Sequence, residues 1–299
     1  MIPITKSFKY VDYLWDEKKA EEFKDNQVAL FLYRSNILGA DLRITNYGGG
    51  NTSCKTIEKN PLTNEEVEVM WIKGSGGDIG TLTKSGIAGL YTDRLRNLKN
   101  VYGGLEDEDR MVGLFNHCIH DLDSKTPSID TPLHGLLPFK HIDHLHPDSL
   151  IAVAAAKDSE KVTKEIWGDS MGWVPWQRPG FDLGLQLEQC LNENPGIRGI
   201  VLGGHGLFTW GDTSYECYKN SLEVIETASQ YIADREGKDR PVFGGQKTSS
   251  LEAEERKEVA AGLAPILRGL ASNEQRMIGH FTDDDKVLQF INSQDLDRL

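Results

Sequence analysis

Two histidines at positions 144 and 146 most constrain how this 299-residue chain can fold. Residues two positions apart on a β-strand point to the same side of the sheet. A short extended segment can therefore offer both imidazoles to one metal ion. A third candidate ligand, His205, follows the apolar segment 197–202 much later in the chain. A fold that brings the two segments together would create a site with three histidines and an open coordination position, as in catalytic metal centres.

The other polar residues of this stretch are sorted by their position relative to the histidine pair. His141 and Asp143 are an odd number of positions from His144, so both are expected to point to the opposite side of the sheet. His134 could support the metal site from a turn or short helix. The remaining histidines are interpreted as core or surface residues: His117, His120 and His280.

Asp130 is the candidate acid–base residue. It lies shortly before the histidine pair, in the sequence Ser-Ile-Asp-Thr-Pro at 128–132. Burial and a nearby divalent cation would together set the ionisation of its carboxyl group. Aspartate is also a common helix-capping residue, so a structural role for Asp130 stays open.

Two glycine-rich segments are candidate phosphate-binding loops. Glycines allow backbone N–H groups to turn toward an anion, and neighbouring polar side chains add donors. The first segment begins at Gly48 and supplies Gly50, Asn51, Thr52 and Ser53; the second supplies Gly74, Ser75 and Gly76. Neither has the sequence of a P-loop or of a dinucleotide-binding turn. A plain tight turn is the alternative for each.

Composition narrows the classes of partner and compartment. The formal net charge of −13 argues against generic binding to nucleic acid or to an anionic membrane surface. No apolar run approaches the ~20 residues of a membrane span, and the N-terminus has no signal-peptide core. The four cysteines show no paired spacing, so we expect reduced thiols in a cytoplasmic protein.

Apolar periodicity and turn residues predict an irregular order of helices and strands, which favours a mixed or antiparallel sheet with layered helices. Strands are expected at 54–57, 66–73 and 197–202, and the apolar run 150–156 suits either a strand or the start of a helix. Helices are expected at 10–37, 88–98, 107–120, 158–167, 182–192, 214–234 and 251–270.

Taken as an ordered set, these motifs resemble the class II aldolase/adducin family. The set comprises the loops at Gly50–Ser53 and Gly74–Gly76, the Ser-x-acid-x-x-x-His sequence at 128–134, His-x-His-Pro at 144–147 and His-Gly at 205–206. The amino-acid sequence of these motifs is most similar to that of the aldolase part of bifunctional rhamnulose-1-phosphate aldolase/short-chain dehydrogenase proteins. The dehydrogenase part is expected to be absent from this chain.

The resemblance implies a three-layer α/β/α fold around a largely antiparallel sheet. It also implies Zn²⁺, or another divalent transition metal, held by His144, His146 and His205, and a homo-oligomer, with a tetramer favoured. Residues 1–240 would form the catalytic domain, and 241–299 a C-terminal helical extension.

The implied reaction is reversible cleavage of a ketose 1-phosphate, with rhamnulose 1-phosphate favoured, to dihydroxyacetone phosphate and lactaldehyde. Aldolases of the family carry glutamate where this chain has Asp130, whereas its ribulose-5-phosphate 4-epimerases carry aspartate. The segment between the acid and His144 is also shorter here. A pentulose-phosphate 4-epimerase, a thio-sugar-phosphate dehydratase and a non-enzymatic adducin-like scaffold therefore stay open.

Overall fold

The computed structural model describes residues 8–46, 49–235 and 241–298, so Gly48 of the first glycine segment lies outside the described residues. One mixed sheet of seven strands forms its centre, in the order β3-β2-β1-β4-β7-β6-β5. All neighbouring strands are antiparallel except β5 and β6, which are parallel. The strands are β1 Asn51–Lys59, β2 Glu66–Lys73, β3 Ile87–Tyr91, β4 His141–Leu145, β5 Gly172–Val174, β6 Gly199–Leu202 and β7 Gly206–Gly211.

Helices cover both faces of this sheet, which confirms the predicted three-layer α/β/α fold. Helices α2, α6, α7 and α9 pack on one face, and α3, α4, α5 and α8 pack on the other. The helices of the described residues are α1 Glu17–Glu21, α2 Gln27–Gly39, α3 Thr92–Asn97, α4 Glu108–Leu114, α5 Thr131–Gly135, α6 Asp148–Ala154, α7 Ser159–Trp167, α8 Phe181–Glu193, α9 Ser214–Ala233, α10 Ala253–Ala271 and α11 Asp285–Ile291.

Strand register places the candidate site in the middle of the sheet. Asn51 of β1 lies opposite His144 of β4, which in turn lies opposite Phe208 of β7. Residues opposite each other in an antiparallel pair share a face. Asn51 and Ser53 therefore face the α5 layer together with His144, whereas Thr52 faces α2.

A buried ion pair fastens the sheet to the α2 layer directly behind His144. Arg34 and Asp143 are both fully buried, with 3.0 Å between Nε and Oδ1. The guanidinium group also donates to His141 Nδ1 at 2.9 Å and to the Ser53 carbonyl at 2.8 Å. Ser221 of α9 donates to Asp143 Oδ2 at 3.0 Å. His141 and Asp143 of β4 thus point away from the α5 face, as their parity relative to His144 predicted.

Three helix predictions were wrong in extent. The segment 10–37 contains two helices, because Asp16 and Asn26 each accept hydrogen bonds from the following turn and so start a new helix. The segment 88–98 begins as buried edge strand β3 and becomes helical only at Thr92. The segment 107–120 is α-helical only at Glu108–Leu114. Strands β5 and β7 were not predicted, and the run 150–156 lies mainly in helix α6.

The chain divides into two compact units, Met1–Ile232 and Ala233–Leu299. The predicted boundary at residue 240 stays a prediction, because residues 236–240 are outside the described part of the chain. In the second unit, α10 has no buried residue, and an open groove of about 1140 Å³ runs along α10, α11 and the segment 277–283. Among the described residues, no helix combines the length and the apolar character needed to cross a bilayer.

Candidate active site

The three predicted metal ligands come together. Ligand nitrogens of His144, His146 and His205 all lie within 4.8 Å of one another, and the described residues form no other group of three or more His, Cys, Asp or Glu side chains that could hold a metal ion. Strand β4 ends at Leu145, so His146 lies just beyond it, yet its Nε2 is 3.1 Å from Nε2 of His144. His205 lies in the turn between β6 and β7. Three imidazoles in this arrangement could hold a divalent metal ion.

A backbone hydrogen bond fixes which nitrogen of His144 faces the cluster. Its Nδ1 is 3.0 Å from the carbonyl oxygen of Leu207. A carbonyl only accepts, so Nδ1 carries the proton and Nε2 presents its lone pair to His146. Metal-binding histidines in proteins are commonly oriented by such a bond from the second ring nitrogen. The geometry therefore fits metal coordination through His144 Nε2.

The surroundings keep all three imidazoles neutral. Burial lowers the pKa of His144 well below its usual value, and the proximity of the other two rings adds to the effect. Burial, followed by the nearby His205, lowers the pKa of His146 to about 4. Burial also lowers the pKa of His205, against the opposing influence of Asp130. Neutral imidazole is the form that binds metals.

Two glycines allow the backbone to approach the histidines. Gly50 has a φ of +72°, and a Cβ there would lie 2.8 Å from the carbonyl oxygen of His144. A Cβ on Gly206 would lie 2.7 Å from the Leu145 carbonyl oxygen and 2.9 Å from Cδ2 of His146. A side chain at either position would displace the strand that carries the ligands.

Asp130 lies beside the histidine cluster and not in a capping role. It precedes α5, but its side chain makes no capping hydrogen bond. The carboxylate instead accepts from Ser128 Oγ at 3.2 Å and from Asn51 Nδ2 at 3.4 Å. Its negative charge opposes the burial that lowers the pKa of His146 and His205, so the carboxylate acts electrostatically on both rings.

The first glycine loop offers fewer free donors than its sequence suggests. The hydroxyl of Thr52 lies 2.8 Å from Ser35 Oγ on α2, and the hydroxyl of Ser53 lies 2.7 Å from Nδ1 of buried His134. Both hydroxyls are therefore engaged within the protein. Asn51 is also buried, and its Oδ1 has no partner among the described residues. Asn51 is thus the side chain of this loop that faces Asp130.

The second glycine loop is more open. Ser75 and Gly76 are exposed, and Gly76 has a φ of +70° with no atom near its Cβ direction. Gly74 is buried and pairs with Pro127, just before Ser128. Asn51 Nδ2 donates to the carbonyl of Lys73 at 3.4 Å, so the two loops meet next to Asp130.

Sequence reasoning does not single out Arg34 as part of this region, whereas Lys73 is marked in the sequence by its position directly before the second glycine loop. Lys73 is 4% exposed, and the carboxylate of Asp130 opposes the lowering of its pKa by burial. Arg34 supports β4 from behind, and nothing in its local helical sequence marks it as a partner of Asp143.

Comparison with known proteins adds the family relationship. The chain matches the family model of the class II aldolase and adducin N-terminal domain over residues 32–232, and that of the second domain of class II aldolases over residues 258–299. YuxG of Bacillus subtilis, described as an uncharacterized oxidoreductase, is 40% identical over 283 residues. That alignment covers 95% of this chain but only 40% of YuxG, so the chain spans less than half of its relative.

Two solved structures share the fold. The N-terminal class II aldolase domain of a conserved protein from Thermoplasma acidophilum is 27% identical, with a TM-score of 0.62, over 76% of this chain and 99% of that one. A sugar-phosphate aldolase from Thermotoga maritima is 13% identical, with a TM-score of 0.50, over 70% of this chain and 94% of that one. The second likeness concerns the fold alone.

Proposed function

Because the chain belongs to the class II aldolase and adducin family, we propose that it is a metal-dependent aldolase that cleaves a ketose 1-phosphate reversibly. Rhamnulose 1-phosphate is the preferred substrate in this proposal, with dihydroxyacetone phosphate and lactaldehyde as products. The observation that carries the proposal is the convergence of three imidazoles within 4.8 Å, beside Asp130 and two glycine loops.

His144, His146 and His205 would hold the metal, and Zn²⁺ is the ion we favour for a site with nitrogen ligands. When bound, such an ion supplies Lewis-acid stabilisation of the negative charge that develops on oxygen as the C3–C4 bond breaks. The chain's own part is to keep the three rings neutral and oriented, which burial and the Leu207 carbonyl support.

Asp130 would transfer a proton to the substrate carbon that loses its partner when the C3–C4 bond breaks. In the reverse reaction it would remove that proton. A general base must lie within hydrogen-bonding reach of that proton. The carboxylate is held by Ser128 and Asn51 next to the open side of the cluster, which suits this role.

The two glycine loops would hold the substrate phosphate. In the first loop, the backbone amide of Gly50 and the side chain of Asn51 are the candidate groups, since Thr52 and Ser53 pair with β4 in the sheet and their hydroxyls have protein partners. In the second loop, the amide of Gly76 and the side chain of Ser75 are the candidate groups, because the Gly74 and Ser75 amides donate to the carbonyls of Gly86 and Thr126. Binding the remote phosphate would orient the reacting carbons.

We also propose a homo-oligomer, with a tetramer favoured.

A 4-epimerase acting on a pentulose 5-phosphate is the second candidate. The observation that favours it is the aspartate at position 130, because the family's epimerases carry aspartate there and its aldolases carry glutamate. The same site would perform a retro-aldol step while keeping both fragments bound. A thio-sugar-phosphate dehydratase stays open, and a non-enzymatic scaffold is disfavoured by the converging histidines.

Release of dihydroxyacetone phosphate from a panel of ketose 1-phosphates tests the proposal. The zinc-loaded protein should release it from rhamnulose 1-phosphate, and His205→Ala should lose both bound zinc and cleavage while keeping its circular dichroism spectrum. His117→Ala, which replaces an exposed histidine, is the matched control. Unchanged cleavage after complete chelation would refute the metal-dependent mechanism, and isomerised pentulose phosphate without free product would favour the epimerase.

Asp130→Asn separates binding from proton transfer. It should retain zinc, because the three imidazoles are intact, but lose deuterium exchange from dihydroxyacetone phosphate in heavy water, with a fall on the order of 100-fold or more. Exchange at the wild-type rate would remove Asp130 from this role.

A further inference from the structure

One edge of the central sheet carries the three histidines and both glycine loops. Strands β4 and β6 run in the same direction, because β7 is antiparallel to both, so His146 and His205 follow strands that end at the same edge. Strand β1 begins at that edge with Asn51, and β2 ends there, just before the second glycine loop. The strand order therefore puts the glycine loops on one side of the histidine pair and His205 on the other.

The last strand on the His205 side is β5, and Trp176 follows it. Because β5 is parallel to β6, it ends at the same edge, at Val174. The carbonyl of Val174 accepts a hydrogen bond from the Gly203 amide at 2.8 Å. The turn that carries His205 is thus bonded to the end of β5, two residues before Trp176.

The indole of Trp176 lies over this turn. A Cβ on Gly204 would lie 3.2 Å from Cδ1 of Trp176, and Gly204 has a φ of +66°. Gly204 directly precedes His205, and neighbouring Cα atoms are about 3.8 Å apart. The Trp176 ring therefore borders the candidate metal site, on the side away from the glycine loops.

Trp176 stays exposed in this position. It is 68% exposed, whereas the other five tryptophans of the chain are buried or half-buried. An indole offers a large apolar surface, and covering that surface with atoms of another molecule is favourable. A ligand in the candidate site could supply this cover.

We propose that Trp176 forms an apolar wall for the aldehyde half of the substrate, an inference that rests on the proposed aldolase function. In a ketose 1-phosphate the phosphate is on C1, and the carbons beyond the C3–C4 bond form the other end of the molecule. With the phosphate at the glycine loops and the C2 and C3 oxygens at the histidines, the remaining carbons extend toward β6 and β5. Trp176 lies in that direction.

An indole at this end of the site discriminates between a methyl and a hydroxymethyl group. Covering a methyl group with an apolar ring is favourable, whereas covering a hydroxyl group without a hydrogen-bond partner is costly. Lactaldehyde and glyceraldehyde have the same carbon chain and differ in this terminal group. Trp176 thus selects lactaldehyde, and in the cleavage direction a 6-deoxy ketose 1-phosphate.

Condensation of dihydroxyacetone phosphate with either aldehyde measures the preference. In the zinc-loaded full chain, Trp176→Ala should lower the ratio of kcat/KM for lactaldehyde to that for glyceraldehyde by about 10-fold, the scale of one small apolar contact. Trp176→Phe keeps an aromatic ring and should recover most of the ratio. Leu62→Ala is the matched control, because it removes a 91% exposed apolar side chain between β1 and β2, at the opposite edge of the sheet.

Deuterium exchange from dihydroxyacetone phosphate separates contact with the aldehyde from support of the turn. This molecule lacks the aldehyde half, so Trp176→Ala should retain both exchange and bound zinc. A parallel loss of zinc and exchange would make Trp176 a positioning residue for His205 and overturn the inference.

Tryptophan fluorescence follows the contact in the unaltered protein. Acrylamide should quench exposed Trp176 most strongly. Rhamnulose 1-phosphate, with the reaction at equilibrium, should reduce this quenching, and dihydroxyacetone phosphate alone should not. Equal quenching with the two ligands would contradict the proposed wall.

The remaining outcomes separate this inference from the proposed function. Wild-type exchange with an unchanged aldehyde ratio in Trp176→Ala would overturn the inference alone. The same unchanged ratio with a smaller mass in sedimentation would assign the indole to a contact between copies of the chain. A wild-type protein with neither exchange nor cleavage would refute the proposed reaction, and the inference with it.

Discussion

Replacing buried His141 should make the protein less sensitive to acid. His141 accepts a hydrogen bond from Arg34 through Nδ1, so the ring must be neutral there. Burial, and then the charges of Arg34 and Lys140, lower its pKa to about 2. In the unfolded chain a histidine has a pKa of about 6.5. As pH falls below that value, the unfolded state binds a proton and the folded state does not. The free energy of unfolding therefore decreases until the pH reaches the pKa of the folded state.

The size of the effect follows from this linkage. Each proton changes the free energy of unfolding by about 1.36 kcal/mol per pH unit, so His141 accounts for about 1.9 kcal/mol of lost stability between pH 7 and pH 5. His141→Asn should be less stable than the wild type at pH 7, since Arg34 loses an acceptor, but the deficit should shrink by about 1.9 kcal/mol at pH 5.

Urea unfolding of the metal-free protein at both pH values measures the change. His117→Asn, at an exposed position of the same unit, is the control and should follow the wild type. An equal deficit of His141→Asn at pH 7 and pH 5 would contradict the neutral, Arg34-bound state of the ring. A deficit that grows with acid would reverse the sign of the argument.

Two further substitutions probe the support of the site. Arg34→Met should lower the free energy of unfolding in urea by about 3–5 kcal/mol, because it leaves Asp143 buried and unpaired. Adding Asp143→Leu should recover part of that loss. A loss below about 1 kcal/mol in Arg34→Met would contradict the role of the pair. Gly206→Ala should weaken zinc binding by about 10-fold or more in a competition titration, since its Cβ would lie 2.9 Å from the His146 ring. Gly113→Ala is the control and should leave zinc binding unchanged, because a Cβ there meets no atom within 4 Å. Unchanged affinity in Gly206→Ala would show that the turn relaxes without moving the ligands.

The sequence predicts the layered fold and the convergence of the three histidines because both depend on patterns that are visible in the sequence itself. His144 and His146 are two positions apart, and His205 follows a strand-like apolar run, so each ligand is tied to a recognisable strand. The position of Asp143 and His141 on the opposite face, where Arg34 contacts both, follows from the same alternation.

Other features depend on tertiary contacts that no local sequence pattern predicts. Strand β7 reads as a loop until its pairing with β4 and β6 supplies hydrogen bonds on both sides. The hydroxyls of Thr52 and Ser53 look free in the sequence but are bonded to Ser35 and His134, which are distant in the chain.

The turn between β6 and β7 has a consequence for biosynthesis. His144 and His146 leave the ribosome well before His205, so a nascent chain that ends before His205 holds two of the three imidazoles and no Leu207 carbonyl to orient the first. Capture of an ion would then be delayed until β7 has inserted between β4 and β6. Metal loading in the cell would therefore report completion of the central sheet.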